Sequence, residues 1–315
     1  MKSGGEMEDH NNTTANATSI KDFLFRYRKN EIRTIEAFSE GKLFFSTPSV
    51  FNDPFDSVVF VDKQKLLNSI EYDIRNHFGE YLQTEPNKQV IIDLLGLGEE
   101  NCFDTPHGKD MLDGFIQFVS NISSIAKEQI VTNSKVICFS EDYLSPLMWA
   151  HYANYHKGFV LGYAKSDLNA ALVYDEHGSK LNRKTMLDKV KYSKATPDSG
   201  PLFYDVLPKM LRGESLADEL GFFEQVTYNK TDVWSYEKEW RLCSRPDTLD
   251  EQDAANYISI EPCMLLLGAK MPLQERKKLY SIATKKDIPV FEVWINDLEP
   301  EFKLNFCLVK HDELK

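Results

Sequence analysis

The chain has 315 residues, 42% of them hydrophobic and 12% aromatic, which is ample for one or two cored domains and excludes a wholly disordered protein. Its 37 Lys and Arg against 49 Asp and Glu give a formal charge of −12, which excludes a general nucleic-acid or anionic-membrane binder, since either needs a basic stripe. No apolar run approaches the roughly 20 residues that cross a bilayer.

Residues 1 to 20 read as a polar tail without apolar periodicity, expected to be disordered. Its start carries Glu6, Glu8 and Asp9 and no leader-type apolar stretch, and the five cysteines (Cys102, Cys138, Cys243, Cys263, Cys307) are spread without a CxxC pair. Together these predict a cytoplasmic, reducing setting.

Order is expected from Phe23, in a strand running through Arg26-Tyr27-Arg28. Asn30 is the expected N-cap of a helix with Ile32, Ile35 and Phe38 on one face and Gly41 at its end. Leu43-Phe44-Phe45 makes the next strand, closing at Ser46-Thr47-Pro48. The turn-forming run Phe51-Asn52-Asp53-Pro54-Phe55-Asp56 follows, with Phe51 and Phe55 expected to anchor it in the core. Residues 62 to 130 read as a helical insertion, clearest in the stripe Met111, Leu112, Phe115, Phe118, Val119, Ile122 and Ile125.

Val136–Phe139 and Phe159–Tyr163 are apolar strands. Ser145-Pro146 is a cap-and-first-turn pair for a helix reaching His156, with Gly158 as its stop. The C-terminal part predicts strands at 265–267, 290–295 and 304–309 around a helix at 273–285. The whole reads as α+β: one domain over 21–315, a central mixed or antiparallel sheet with the helical insertion.

Three groups of residues carry chemistry. If 237–241 is extended, Glu237, Glu239 and Arg241 share a face, and paired carboxylates suit a reacting sugar; the competing reading is an edge strand with solvated ion pairs. Ser46 and Thr47 stand at a strand end beside the Asp53 and Asp56 loop, which either grips a ligand or caps itself. His151 and Tyr152 can bond or stack on a ligand, but His151 and His156 are five residues apart, poor spacing for a helical metal pair, and no metal is expected. There is no GxGxxG, GxxxxGK[ST] or GxSxG run.

The ordered runs LFRYRK, FFSTPSVFNDPFD, VICFSED, MWAHYANYHKG and WSYEKEWRL resemble a widespread bacterial family of unknown function across about residues 23 to 310. Glu237-Lys238-Glu239 running into Trp240-Arg241-Leu242 also resembles the ExE motif of ADP-ribosyltransferases. That second resemblance implies an ADP-ribosyltransferase-like fold and an NAD-consuming enzyme, a transferase or glycohydrolase, in the role of a bacterial defence or toxin effector. It assigns Glu239 to the ribose and the oxocarbenium-like transition state, Glu237 to the acceptor, and Arg28 or Arg26 to the diphosphate, with Tyr27, Ser46, Thr47, His151 and Tyr152 lining the cofactor. NAD is then a substrate, and the acceptor is protein, nucleic acid or water. The departures are a Ser-Thr pair earlier than the superfamily places it and some 70 residues after Glu239. The alternatives are a non-catalytic ligand-sensing or protein-interaction module and a metal-dependent hydrolase using Asp53, Asp56 or Glu239. A shared site requires Arg28, Ser46, His151 and Glu239 to converge.

Overall fold

Fourteen strands among the described residues fall into one large sheet and two small ones, and the large sheet positions the candidate site. The computed structural model describes residues 19–69, 72, 76, 106–183, 185–204, 222–244, 256–297, 300–301 and 303–309. The expected tail up to residue 18, most of the insertion between 70 and 105, Cys102 and the segment 205–221 lie outside them.

The chain divides into two compact units: residues 1–50, 133–192 and 232–315 form the first, and 51–132 with 193–231 the second. The first is α+β. Its eight-stranded sheet runs in the order β14 (Leu304–Leu308), β13 (Val290–Ile295), β12 (Met264–Leu267), β4 (Phe159–Ala164), β1 (Phe23–Arg28), β3 (Lys135–Ser140), β10 (Glu239–Ser244) and β7 (Thr185–Lys189). Only β12 and β13 pair in parallel; the rest are antiparallel, so the sheet is mixed. Apolar runs bounded by turn formers become its inner strands because each is buried on both faces; β4 is buried at all six positions.

Strand alternation divides the core in two. One face presents Leu24, Ile137, Phe139, Leu161, Leu242 and Leu265. Residues of helices α1 (Ile32–Ser39) and α6 (Leu273–Lys285) pack on that face. So does a second sheet, in the order β2 (Lys42–Phe44), β11 (Tyr257–Ser259), β5 (Val173–Tyr174) and β6 (Lys180–Leu181). The other face presents Phe25, Tyr27, Val160, Met264 and Val293 under Met148 and Trp149 of the short helix α3 (Pro146–Tyr152).

Three local expectations shift. The cap of α1 is Glu31, paired with Thr34 in a capping box, because Thr34 already accepts the Glu31 N–H and donates to Lys29 O; Asn30 instead donates to Glu275. Ile32 is 70% exposed, so the buried face of α1 is Ile35, Ala37 and Phe38. Helix α3 closes at Tyr152, four residues early, because Asn154, Tyr155 and His156 all take positive φ (47°, 55° and 68°). Gly158 follows where the chain leaves that turn: a Cβ there would lie 2.2 Å from the Arg28 carbonyl oxygen, so only glycine fits.

In the second unit, helix α2 (Pro106–Asn133) forms as the periodicity predicts, but its described buried row is Ile116, Val119, Ser123 and Ile130. Phe118, Ile122 and Ile125 are 41%, 39% and 60% exposed, so the helix is turned from the expected stripe, while the side chains of Met111, Leu112 and Phe115 lie outside the described set. Phe55 is 68% exposed and does not anchor its loop; Asp53 does that work by accepting the Phe55 N–H, with a second bond from Asp56 N to Asp53 O. The second unit also holds the short strand β9 (Asn229–Thr231).

Candidate functional site

The run Glu237-Lys238-Glu239 is not one strand. A 3-10 turn over Asp232–Glu237 ends at Lys238, whose φ is 44°, and β10 begins only at Glu239. The end of β3 receives this junction. Ser140 Oγ donates to Glu237 O at 2.6 Å and accepts from Asp142 N at 3.0 Å. Glu141 N donates to Lys238 O at 3.1 Å, and the Lys238 ammonium meets Asp142 at 3.0 Å. The Glu239 N–H donates to Tyr192 Oη at 2.8 Å. Two of the sequence runs, VICFSED and WSYEKEWRL, therefore lock at one sheet end.

Both carboxylates are buried, Glu237 at 3% and Glu239 at 4% exposure, and Arg241 is fully buried. That disposes of the solvated edge-strand reading, as does the position of β10 between β3 and β7. Arg241 Nε donates to Glu239 Oε1 at 2.9 Å and its Nη2 to Oε2 at 3.2 Å, a two-pronged charge-assisted contact. Opposite Arg241 stands Cys138, whose thiol is pushed well up by burial and then by the Glu239 charge. Glu237 has a different neighbour: Tyr152 Oη donates to its Oε1 at 2.5 Å.

Around Glu237 an aromatic rim reaches the surface. The exposed His151 lies 6.3 Å from the half-buried Tyr236, centroid to centroid, and Tyr236 lies 6.0 Å from Trp234. Beneath it Trp149 is fully buried, edge-on to Tyr27 at 5.5 Å, and its Nε1 donates to Tyr143 O. Tyr27 Oη donates to Asp142 O at 2.7 Å. Of the residues singled out in the sequence, Glu237, Glu239, Tyr27, His151 and Tyr152 thus belong to one face of the sheet.

Arg26 and Arg28 do not. The register pairs Phe25 with Ser140 and Ser140 with Glu239, so Phe25 and Glu239 share a face, and Arg26 and Arg28 alternate to the other. Arg26 lies over the Phe139 ring, 5.9 Å from its centroid, and its Nη2 reaches Phe44 O at 3.5 Å. Burial, and next the neighbouring Arg28 charge, pull its guanidinium down to about 9; its buried Nη1 has no hydrogen-bond partner among the described residues. Arg28 is lowered too, chiefly by burial.

Ser46 is bridged to Val136, at the far end of β3 from Ser140, and four residue steps along the strand set the two roughly 13 Å apart. Thr47 Oγ1 bonds Ser49 Oγ at 2.8 Å. The convergence expected of Arg28, Ser46, His151 and Glu239 is therefore not what the strand register gives.

Ser140, Cys138, Tyr192, Trp234 and Tyr236 are site residues that sequence reasoning missed. The first two lie in VICFSED and the last two in WSYEKEWRL, so a search of those runs finds them; Tyr192 sits in a polar stretch with no signal at all. Among the described residues no group of three or more His, Cys, Asp and Glu is placed to hold a metal ion. Nor is any described helix long and apolar enough to cross a membrane.

This geometry belongs to a chain similar, over residues 148–242, to the family described as "Protein of unknown function (DUF2971)". The matched segment holds both the Trp149–Tyr152 helix and the Glu237–Arg241 run. No curated protein and no solved structure matches the chain.

Proposed function

We propose that the chain binds a small ribosyl ligand bearing an aromatic ring, with NAD as the reference compound, at the Glu237 carboxylate under the His151–Tyr152–Tyr236 rim. One observation carries this reading: a buried carboxylate joined to Tyr152 Oη at 2.5 Å lies at the foot of a partly exposed aromatic cluster. Aromatic faces supply stacking for a flat ring, and a carboxylate accepts hydrogen bonds from sugar hydroxyls. The roles differ from those the ExE resemblance implies. Glu239 already holds a guanidinium with both oxygens, so it fixes the charge balance of the site, and Glu237 meets the ligand. The arginines of β1 take no part in this site, being on the other face.

Turnover of NAD is a second reading, favoured by the two carboxylates that flank a single strained residue, Lys238. In that reaction the bond from ribose C1′ to nicotinamide breaks, and nicotinamide leaves with the electron pair. Glu237 steadies the positive charge on the sugar until an acceptor oxygen or nitrogen attacks C1′ and gives up its proton.

Purified full-length protein titrated with NAD in a calorimeter, with free nicotinamide followed in parallel, tests both. Binding that falls at least about tenfold in Glu237→Gln supports the site, since charge-assisted hydrogen bonds carry that much. Nicotinamide release lost in the same variant supports turnover. Absence of saturable binding by NAD and by adenosine overturns the reading.

A further inference from the structure

Lys238, between the two buried carboxylates, has a φ of 44°, a left-handed backbone that a residue with a Cβ adopts at about a tenfold disadvantage. Three bonds hold the backbone there. The Lys238 N–H donates to Ser235 O at 3.2 Å, the Glu141 N–H donates to Lys238 O at 3.1 Å, and Ser140 Oγ donates to Glu237 O at 2.6 Å. None of the three uses the Lys238 side chain, so a glycine would make them all without the steric cost. What glycine cannot make is the fourth contact, from the Lys238 ammonium to Asp142 Oδ2 at 3.0 Å. Among the described residues Asp142 is the one partner of that ammonium.

Asp142 is itself engaged at all four polar atoms. Its N–H donates to Ser140 Oγ, its carbonyl accepts from Tyr27 Oη at 2.7 Å, Oδ1 accepts from Leu144 N at 2.9 Å, and Oδ2 takes the ammonium. The Leu144 bond turns the chain toward Ser145, whose Oγ accepts from Met148 N and caps α3. Helix α3 carries Tyr152, and the 3-10 turn before Lys238 ends on Glu237. One carboxylate thus ties the carrier of Tyr152 to the carrier of Glu237, the two residues that meet at 2.5 Å.

We infer that Asp142 is a positioning residue of the Glu237 site: its charge holds Lys238 in the left-handed turn and so fixes the Glu237 carboxylate against Tyr152. Release of the ammonium lets the Lys238 backbone relax toward the ordinary right-handed or extended regions, which breaks the bonds from Ser140 and Glu141 and shifts Glu237. The pair is partly open to water, with 53% of the Lys238 and 28% of the Asp142 side chain exposed, so salt weakens the hold. The inference rests on Glu237 as the ligand-binding carboxylate, but the first arm of its test needs no ligand.

That arm is amide hydrogen exchange on the full-length protein, read at the Glu141 and Glu239 N–H groups, which bond at the junction to Lys238 O and Tyr192 Oη. Asp142→Asn keeps an oxygen for the Leu144 N–H and loses the charge. Exchange at both amides should quicken about fivefold, the upper end for an exposed ion pair, and Lys238→Met should do the same. Lys238→Gly should not, since glycine takes the turn unaided, and adding Asp142→Asn to it should then change nothing. The second arm titrates adenosine, which is uncharged, so that salt acts on the protein and not on the ligand. Affinity should fall about fivefold in Asp142→Asn and in Lys238→Met, return in the double variant Asp142→Asn/Lys238→Gly, and weaken with salt only where the ion pair is present. Exchange equal in wild type and Asp142→Asn, or a loss that persists undiminished in the double variant, overturns the inference. So does adenosine binding equally well to every variant despite quickened exchange. The expected exchange pattern with no binding of adenosine or NAD by the wild type overturns the ligand reading of Glu237 and still supports Asp142 as the residue that positions this carboxylate.

Discussion

The two faces of the eight-stranded sheet treat charge in opposite ways. On the face under α3, Glu239 and Arg241 are two residues apart on one strand and satisfy each other in full burial. On the face under the second sheet, Arg26 and Arg28 are also two residues apart, but they carry the same sign, and both are depressed by burial. Period-two alternation puts one pair on each side, and register alone decides which. The lesson is that charged residues in neighbouring motifs do not make a site by being neighbours in sequence; they must also share strand parity.

The sharpest way to break the comparison is to remove one charge from the paired face. Arg241→Met leaves the Glu239 carboxylate buried beside Cys138 with its main cation gone, and should lower stability by about 3–5 kcal/mol. The double variant Glu239→Gln/Arg241→Met should recover most of that loss, because no buried charge is then left over. Urea unfolding of the two proteins reads both numbers. A double variant as unstable as the single one would mean that Arg241 acts through packing and not through its partner.

Smaller is Tyr152→Phe, which deletes the donor to Glu237 while keeping the ring. Loss of a hydrogen bond to a charged group predicts about 1.5–3 kcal/mol, again by urea unfolding, and looser binding at the rim. An unchanged midpoint would show that the Tyr152–Glu237 contact adds nothing to the fold.

The other face predicts the reverse sign. Arg26→Met removes a desolvated guanidinium with an unpartnered Nη1, and should raise stability at neutral pH by about 1 kcal/mol. The pH dependence follows from linkage. Arg26 binds its proton less tightly folded, at about 9, than unfolded. The wild type is therefore penalised fully below pH 9, and the penalty fades as the pH climbs past it. The gap between wild type and variant should narrow between pH 7 and pH 10; a gap that widens would contradict the assignment.

Much of the frame was legible in the sequence. Four- to six-residue apolar runs such as Val136–Phe139 and Val290–Ile295 are strands because nothing but a buried strand suits them, and the helix at 273–285 appears at the expected residues. What could not be read was set by long-range geometry. Lys238 takes a positive φ that its residue type does not advertise, so the break between Glu237 and Glu239 is invisible in the string EKE. The parity of Arg26 against Glu239 depends on β3 lying between their strands, which no local pattern reveals. Phe55 was expected in the core because aromatic residues usually are, yet the Asp53 turn closes through its own carboxylate and leaves the ring outside. The carboxylates themselves were legible; their partners were not.

The smallest effect belongs to the ion pair at the edge of the Trp240 face, which sharpens the contrast with Glu239–Arg241. Glu141 accepts from Trp240 Nε1 at 2.8 Å and from the Lys189 ammonium at 2.9 Å, with 32% of its side chain exposed. Burial pushes its carboxyl up, but the bonds from Lys189 and Trp240 outweigh it and hold the group below the usual 4.5. A carboxyl depressed in the folded state contributes stability that is present above its unfolded value and disappears as the pH falls through the folded one. Glu141→Gln should therefore destabilise by less than about 1 kcal/mol at pH 7, since half-solvated pairs are worth little, and by nothing once the pH is well below 4.5. Added salt should shrink even that difference, because the screening length falls to about 10 Å at 0.1 M. The Glu239–Arg241 pair, shut away from water, should keep its value under the same salt. If Glu141→Gln instead matches the loss in Arg241→Met and resists salt, burial is not what separates the two pairs.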